Sequence, residues 1–144
     1  YYLKGRTLNR DGKREKGLIY AEKLIGLAGR AGDERMLLYG YIEALCYGVK
    51  AEDSALMKRY LCLVKEMKNL SYYQPEYGSI LRLESYCHIL DGEYETAEEL
   101  LNKSIEIFSR PRLKNTYFYP AAGAYDYLAI TYRAAVSTIK RWKP

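Results

Sequence analysis

The sequence predicts an all-α fold built from stacked antiparallel helix pairs, and three observations predict it. Apolar residues recur at i, i+3, i+4 spacing along most of the chain. Short turn signals fall at Gly12, Glu52-Asp53 and Gly92, a fixed interval of 40 residues. No stretch alternates apolar and polar residues as a half-buried strand does. A repeat of that length marks a stacked array, because one helical hairpin cannot bury both of its faces and about three must stack to hold together. The chain accommodates about three and a half such units and seven helices.

The elements follow in order. A first helix over 1–10 ends at the Asp11-Gly12 turn. The second, over 14–29, carries the stripe Leu18, Ala21, Leu24, Ile25 and Ala28 and stops at Gly32-Asp33. The third spans 34–49, with Asp33 placed to cap its first N–H groups. The fourth spans 54–69, capped by Ser54 and striped by Leu56, Tyr60, Leu63, Val64 and Met67. A fifth, over 76–90, opens after Gln74-Pro75 and closes at Asp91-Gly92, where glycine can take the left-handed conformation. The sixth spans 94–108 on Ala97, Leu100, Leu101, Ser104, Ile105 and Phe108. The segment Ser109 to Pro120, with two prolines, is a linker, and a last helix runs over 119–140. One domain over 1–144 then divides into units at about 1–32, 33–74 and 75–118, with a half unit over 119–144.

Composition bounds the function. The 144 residues suit one domain, and 49% hydrophobic with 28% charged residues is globular rather than disordered. The longest apolar-looking run, Met36 to Val49, is interrupted by Glu43 and falls short of the about 20 residues of a membrane span. No charged-then-apolar leader opens the residues given, and a cytoplasmic setting is expected. The first residue is Tyr1 rather than Met, as in an excerpt of a longer chain. Cys46, Cys62 and Cys87 stand 16 and 25 residues apart, unlike metal-ligand spacing, which fits a reduced compartment and no metal or cofactor. Tyrosine is abundant, 17 copies against two Phe and one Trp. A ring that packs while its hydroxyl stays wet suits thin layers of helices. The net charge of +5 is uneven: residues 1–32 hold eight bases against three acids, and residues 91–106 hold six acids against one base.

At this level the chain resembles a tetratricopeptide (TPR) array. Tyr125, Leu128, Ala129 and Tyr132 stand at the spacing of that family's first-helix motif. Asp91-Gly92-Glu93-Tyr94, Ala97, Leu101 and Ser104 stand at its turn and second-helix spacing. Tyr1, Gly5, Leu8, Gly12 and Gly17 resemble a weaker first copy, and Ala44, Tyr47 and Met57 a weaker second. The period of 40 exceeds the usual 34, which places extra residues in the linkers Asn69–Gln74 and Ser109–Tyr119. Stretches such as Leu3 to Arg10, Ala97 to Ser104 and Ala121 to Arg133 are also similar in style to the TPR segment of large bacterial regulators of the LuxR (maltose-activator-like) and antibiotic-regulator types. The resemblance implies a right-handed superhelix acting without catalysis as a protein-binding or sensing module. A stand-alone TPR adaptor or peptide sensor is the alternative. After Tyr132 the pattern expects a turn and a second helix, and Ala134 to Pro144 offers no turn residue before Pro144.

No catalytic constellation emerges. His88 is the single histidine, and its neighbour Cys87 points about 100° away on a helix, so the two form no nucleophile–base pair. Gly26 to Gly32 lacks the Gly-Lys-Ser/Thr ending of a phosphate loop and reads as a helix end. Asn102-Lys-Ser104 is a glycosylation sequon only formally, since it lies within a helix. The acids from Glu93 to Glu99 read as a solvated face. Arg110, Arg112, Lys114, Lys140, Arg141, Trp142 and Lys143 offer bases and an aromatic, yet the strongly acidic third unit argues against direct nucleic-acid binding.

In TPR arrays the inner wall is made by the first helix of each pair. Carried over, that geometry places Tyr2, Arg6 and Arg10, then Tyr41, then Arg82 and Tyr86, and finally Asp126, Ile130 and Arg133 on a peptide-binding groove. Tyr and Arg are the residues most enriched in binding hot spots, and such arginines favour an acidic segment. The last helix carries two apolar stripes. Tyr125, Leu128, Ala129, Tyr132, Val136 and Ile139 are expected to pack inward. Tyr127, Ile130 and Ala134, with Trp142, are then left bare and available to a second copy as a homodimer.

Overall fold

The structure is a computed structural model that describes residues 14–113 and 118–142. The described residues form six α-helices: α1 (Arg14–Ala31), α2 (Glu34–Ala51), α3 (Ser54–Lys65), α4 (Gln74–Leu90), α5 (Tyr94–Phe108) and α6 (Phe118–Trp142). A single 3₁₀ turn, Leu70–Tyr72, lies between α3 and α4, and there is no strand among the described residues. Each of the last six helices read from the sequence is present. The helix read over 1–10 lies outside the described residues. None of the described helices is long and apolar enough to cross a membrane.

The turns explain why the helices fall where they do. Gly32, Glu52 and Gly92 all sit in the left-handed region, at φ 69°, 51° and 77°. In each case the next N–H reaches back to close the helix end: Asp33 to the Ala28 carbonyl, Asp53 to Gly48 and Glu93 to His88. Asp33 then caps α2 by accepting from the Met36 N–H at 3.1 Å. Asp53 caps α3 in the same way, accepting from the Leu56 N–H at 3.0 Å. The cap of α3 is therefore Asp53, and Ser54, expected in that role, is the first helical residue. Aspartate wins because it follows the left-handed residue directly and aims its carboxylate down the new helix. Helix α3 also ends at Lys65, four residues short of the reading to 69. The Met67 N–H donates to Val64 in a tightened last turn, and the chain redirects before Pro75, which fits the first turn of α4.

By contacts between residues the chain divides into two units, 1–76 and 77–144. In the first, α1 packs on α2 and α2 on α3. Their core comprises Ala21, Leu24 and Ala28, then Leu38, Ala44 and Leu45, then Met57, Leu61 and Val64. Tyrosine hydroxyls tie the layers at their edges. Tyr60 donates to Glu22 at 3.1 Å, and Tyr73 donates to Glu34 at 3.0 Å. Arg35 Nε and the Tyr39 hydroxyl both donate to the same Glu76 oxygen at 3.0 Å, so Glu76 is buried with its charge answered on one side.

In the second unit α4, α5 and α6 share a core of Leu81, Leu83, Cys87, Ala97, Leu101, Phe108 and Ala124. Where α4 crosses α5, the Ser104 hydroxyl donates to the Gly78 carbonyl at 2.8 Å and the Phe108 ring lies over Gly78. A Cβ at residue 78 would stand 2.7 Å from that ring, so any larger residue there must push the ring aside. Helix α6 packs on α5 through a column that shares only Leu128 with the stripe expected to face inward. Ala124 and Thr131 are buried, with Leu128 and Ala135 half-buried beside them. The Thr131 hydroxyl is satisfied within the helix, donating to the Tyr127 carbonyl at 2.7 Å. Small side chains let the helices approach closely, and the large tyrosines move to the flanks where their hydroxyls stay wet. Tyr125, Tyr132, Val136 and Ile139, expected to face inward, are therefore exposed, Tyr125 by 58% and Ile139 by 57%.

Candidate functional site

Within the second unit, α4 and α6 assemble a cluster around Tyr127. Arg82 and Tyr86 lie one turn apart on α4 and share a face. The Arg82 guanidinium carbon sits 5.1 Å from the centre of the Tyr127 ring. The Tyr86 ring centre lies 5.2 Å from it at a 48° tilt. Gly123 leaves room for the arginine stem, since a Cβ there would come within 3.3 Å of Arg82 Cδ. Arg82 Nε is buried and has no hydrogen-bond partner among the described residues. A guanidinium held over an aromatic ring is restricted in its motion and keeps its forked donor geometry. Its chemical complement is a carboxylate. Asp126 and Arg133 are exposed on α6.

The other residues of the expected groove lie elsewhere. Tyr41 is only 7% exposed, with its ring 6.3 Å from that of Tyr60. Burial, and then the charge of Glu66, push its phenol pKa up. Tyr41 is thus a core residue of the first unit, because position 41 falls on the same stripe as Leu38 and Leu45. Tyr2, Arg6 and Arg10 lie outside the described residues. Of the residues expected to mediate self-association, Tyr127 is engaged by Arg82 and Tyr86, while Ile130 and Ala134 are half-buried. The side chain of Trp142 lies outside the described set.

Sequence reasoning missed a second surface. A groove of about 490 Å³ runs between the start of α5 and the last third of α6. Gly92, Glu93, Tyr94, Glu95 and Thr96 line one side, and Ala135, Thr138 and Ile139 the other. The Tyr132 hydroxyl donates to Glu98 at 3.1 Å beside it, and that bond to the carboxylate raises the Tyr132 pKa. Angular placement around α6 was the available signal: residues 125, 132, 136 and 139 lie within about 60° of arc, a quarter turn from Ala124 and Thr131.

Chemistry-bearing side chains outside these surfaces are dispersed. His88 Nδ1 lies 3.3 Å from Glu93 Oε1 at the α4–α5 turn. Cys87 is buried, Cys46 partly exposed and Cys62 exposed. Among the described residues no group of three or more His, Cys, Asp or Glu is placed to hold a metal ion. Arg110, Arg112, Lys140 and Arg141 are exposed, and Lys114 and Lys143 lie outside the described residues. In comparisons with known proteins, the chain matches no family model, no curated protein and no solved structure.

Proposed function

We propose that this chain is a non-enzymatic, TPR-like helical repeat module that binds a protein or peptide segment of acidic character. The observation that carries this reading is the Arg82–Tyr127–Tyr86 cluster. It places a preorganised guanidinium, two amphipathic rings and a buried donor without a partner among the described residues on one face of two helices. Those are the side chains that dominate protein-binding hot spots. The three left-handed turns of one design support a repeat architecture, and the style of the sequence supports the sensing region of a bacterial transcriptional regulator as its context. A stand-alone adaptor of the same fold is the second reading, favoured if no DNA-binding or ATPase domain shares the reading frame.

Affinity capture from the host lysate tests the binding role, comparing the wild type with Arg82→Glu and Arg82→Lys. Charge reversal is expected to abolish the specifically captured species, and lysine, which keeps charge but not the flat fork, to retain part of it. Capture indifferent to Arg82→Glu refutes the assignment.

A further inference from the structure

The groove between α5 and α6 has a defined chemistry: an apolar wall of Ala135 and Ile139 with the exposed Val136 beside it, and an acidic wall of Glu95 and of Glu93, which lies 3.3 Å from His88, with Glu98 nearby. Two copies meeting through this surface in a two-fold manner would bring both acidic walls into one interface. Like charges face to face at an interface are unfavourable. An isologous dimer through α6 is therefore the poorer solution, although the apolar column needs a cover.

The complement stands at the other end of the same chain. Helix α1 buries Ala21, Leu24 and Ala28, and its opposite face bears Ile19 and Leu27, which are 51% and 44% exposed. Lys23 and Arg30 flank them, and an open depression of about 510 Å³ lies over Gly26. Glu22 lies on the same face, where it accepts from Tyr60. On the described α1 face Lys23 and Arg30 outnumber Glu22, whereas the groove lining carries Glu93 and Glu95 and no base. The two apolar surfaces thus match in character and oppose in sign.

We propose that the α5–α6 groove takes the outward face of α1 from a second copy of the chain, so that copies join head to tail. Such a contact is heterologous, so copies add one after another until a ring closes or the concentration limits the chain. It uses none of the residues of the Arg82 surface, so either assignment can fail alone.

Sedimentation velocity across the micromolar range decides the matter, using the full chain and two surface variants. Ile19→Glu/Leu27→Glu disables the α1 face, and Val136→Glu/Ile139→Glu disables the groove. The wild type is expected to form a concentration-dependent series of oligomers that shortens at high salt. Each variant alone is expected to be monomeric, and an equimolar mixture to give a one-to-one complex that grows no further. A wild type that stays monomeric overturns the proposal. So does an α1 variant that still dimerises, which would show α6 meeting α6, or a mixture that fails to associate. Circular dichroism checks that each variant is helical. Should either lose helix, Lys23→Gln/Arg30→Gln and Glu93→Gln/Glu95→Gln, which remove the charges without creating a new complementary pair, supply the same mixing test.

Discussion

Replacing Gly78 by alanine probes the packing of the second unit at its tightest point. An added Cβ would meet Phe108 Cζ at 2.7 Å and Cε2 at 2.8 Å, where ordinary contact begins at 3.4 Å. The ring must withdraw by about 0.7 Å, and it is 2% exposed with core on its other side, so it cannot swing into solvent. The same movement loads the Ser104–Gly78 hydrogen bond at the crossing. Overpacking of this kind costs about 1–3 kcal/mol. Alanine in a helix interior returns about 0.5–1 kcal/mol relative to glycine. The net expectation is a loss of about 1–2 kcal/mol, or roughly 3–8 °C in Tm for a chain of this size. Gly29→Ala is the matched control, since it lies inside α1 with nothing within 4 Å of the new Cβ, and it is expected to raise Tm slightly. Adding Phe108→Leu to Gly78→Ala should recover part of the loss, giving a favourable coupling in a double-mutant cycle. If Gly78→Ala stabilises as Gly29→Ala does, the α4–α5 crossing is not as close as described.

Two further perturbations follow from the turns and the tyrosines. Glu52 occupies a left-handed position with a Cβ, so Glu52→Gly is expected to stabilise by about 0.5–1 kcal/mol, read as a higher denaturant midpoint at unchanged slope. Burial, before any other cause, raises the phenol pKa of Tyr39, Tyr41 and Tyr60 above the ordinary 10.0. Above pH 10 the folded chain therefore binds more protons than the unfolded one, and the contribution, complete below that pH, is lost as pH rises through the folded values. Absorbance at alkaline pH should show a late-titrating subset of tyrosines together with falling stability, and uniform titration near the ordinary value would contradict the burial.

Much of the architecture was legible because its signals are local. Left-handed glycines, aspartate caps and i, i+3, i+4 stripes act within a few residues, and six helices followed from them. The faces of α6 were not legible, for a physical reason. Its buried column is Ala124 and Thr131, small or polar in sequence, while the residues that look most core-like are tyrosines that prefer a flank. Thr131 becomes a core residue only because its hydroxyl is satisfied inside its own helix. Glu76 escaped notice likewise: its burial depends on Arg35 and Tyr39, 41 and 37 residues away, and no local pattern announces such a pairing. At the candidate site, Arg82 and Tyr86 were legible as a helix face, but their engagement with Tyr127 was not, since that tyrosine was assigned to a free surface.

The central claim is recognition of an acidic segment by the guanidinium of Arg82, and that group can be observed directly. Its Nε–H resonance reports on a buried donor that has no hydrogen-bond partner among the described residues. Titration of labelled protein with a glutamate-rich peptide bearing a free C-terminal carboxylate should shift this resonance together with ring signals of Tyr86 and Tyr127, and the shifts should vanish in Arg82→Glu. An Arg82 resonance that stays fixed while signals elsewhere move would contradict the account.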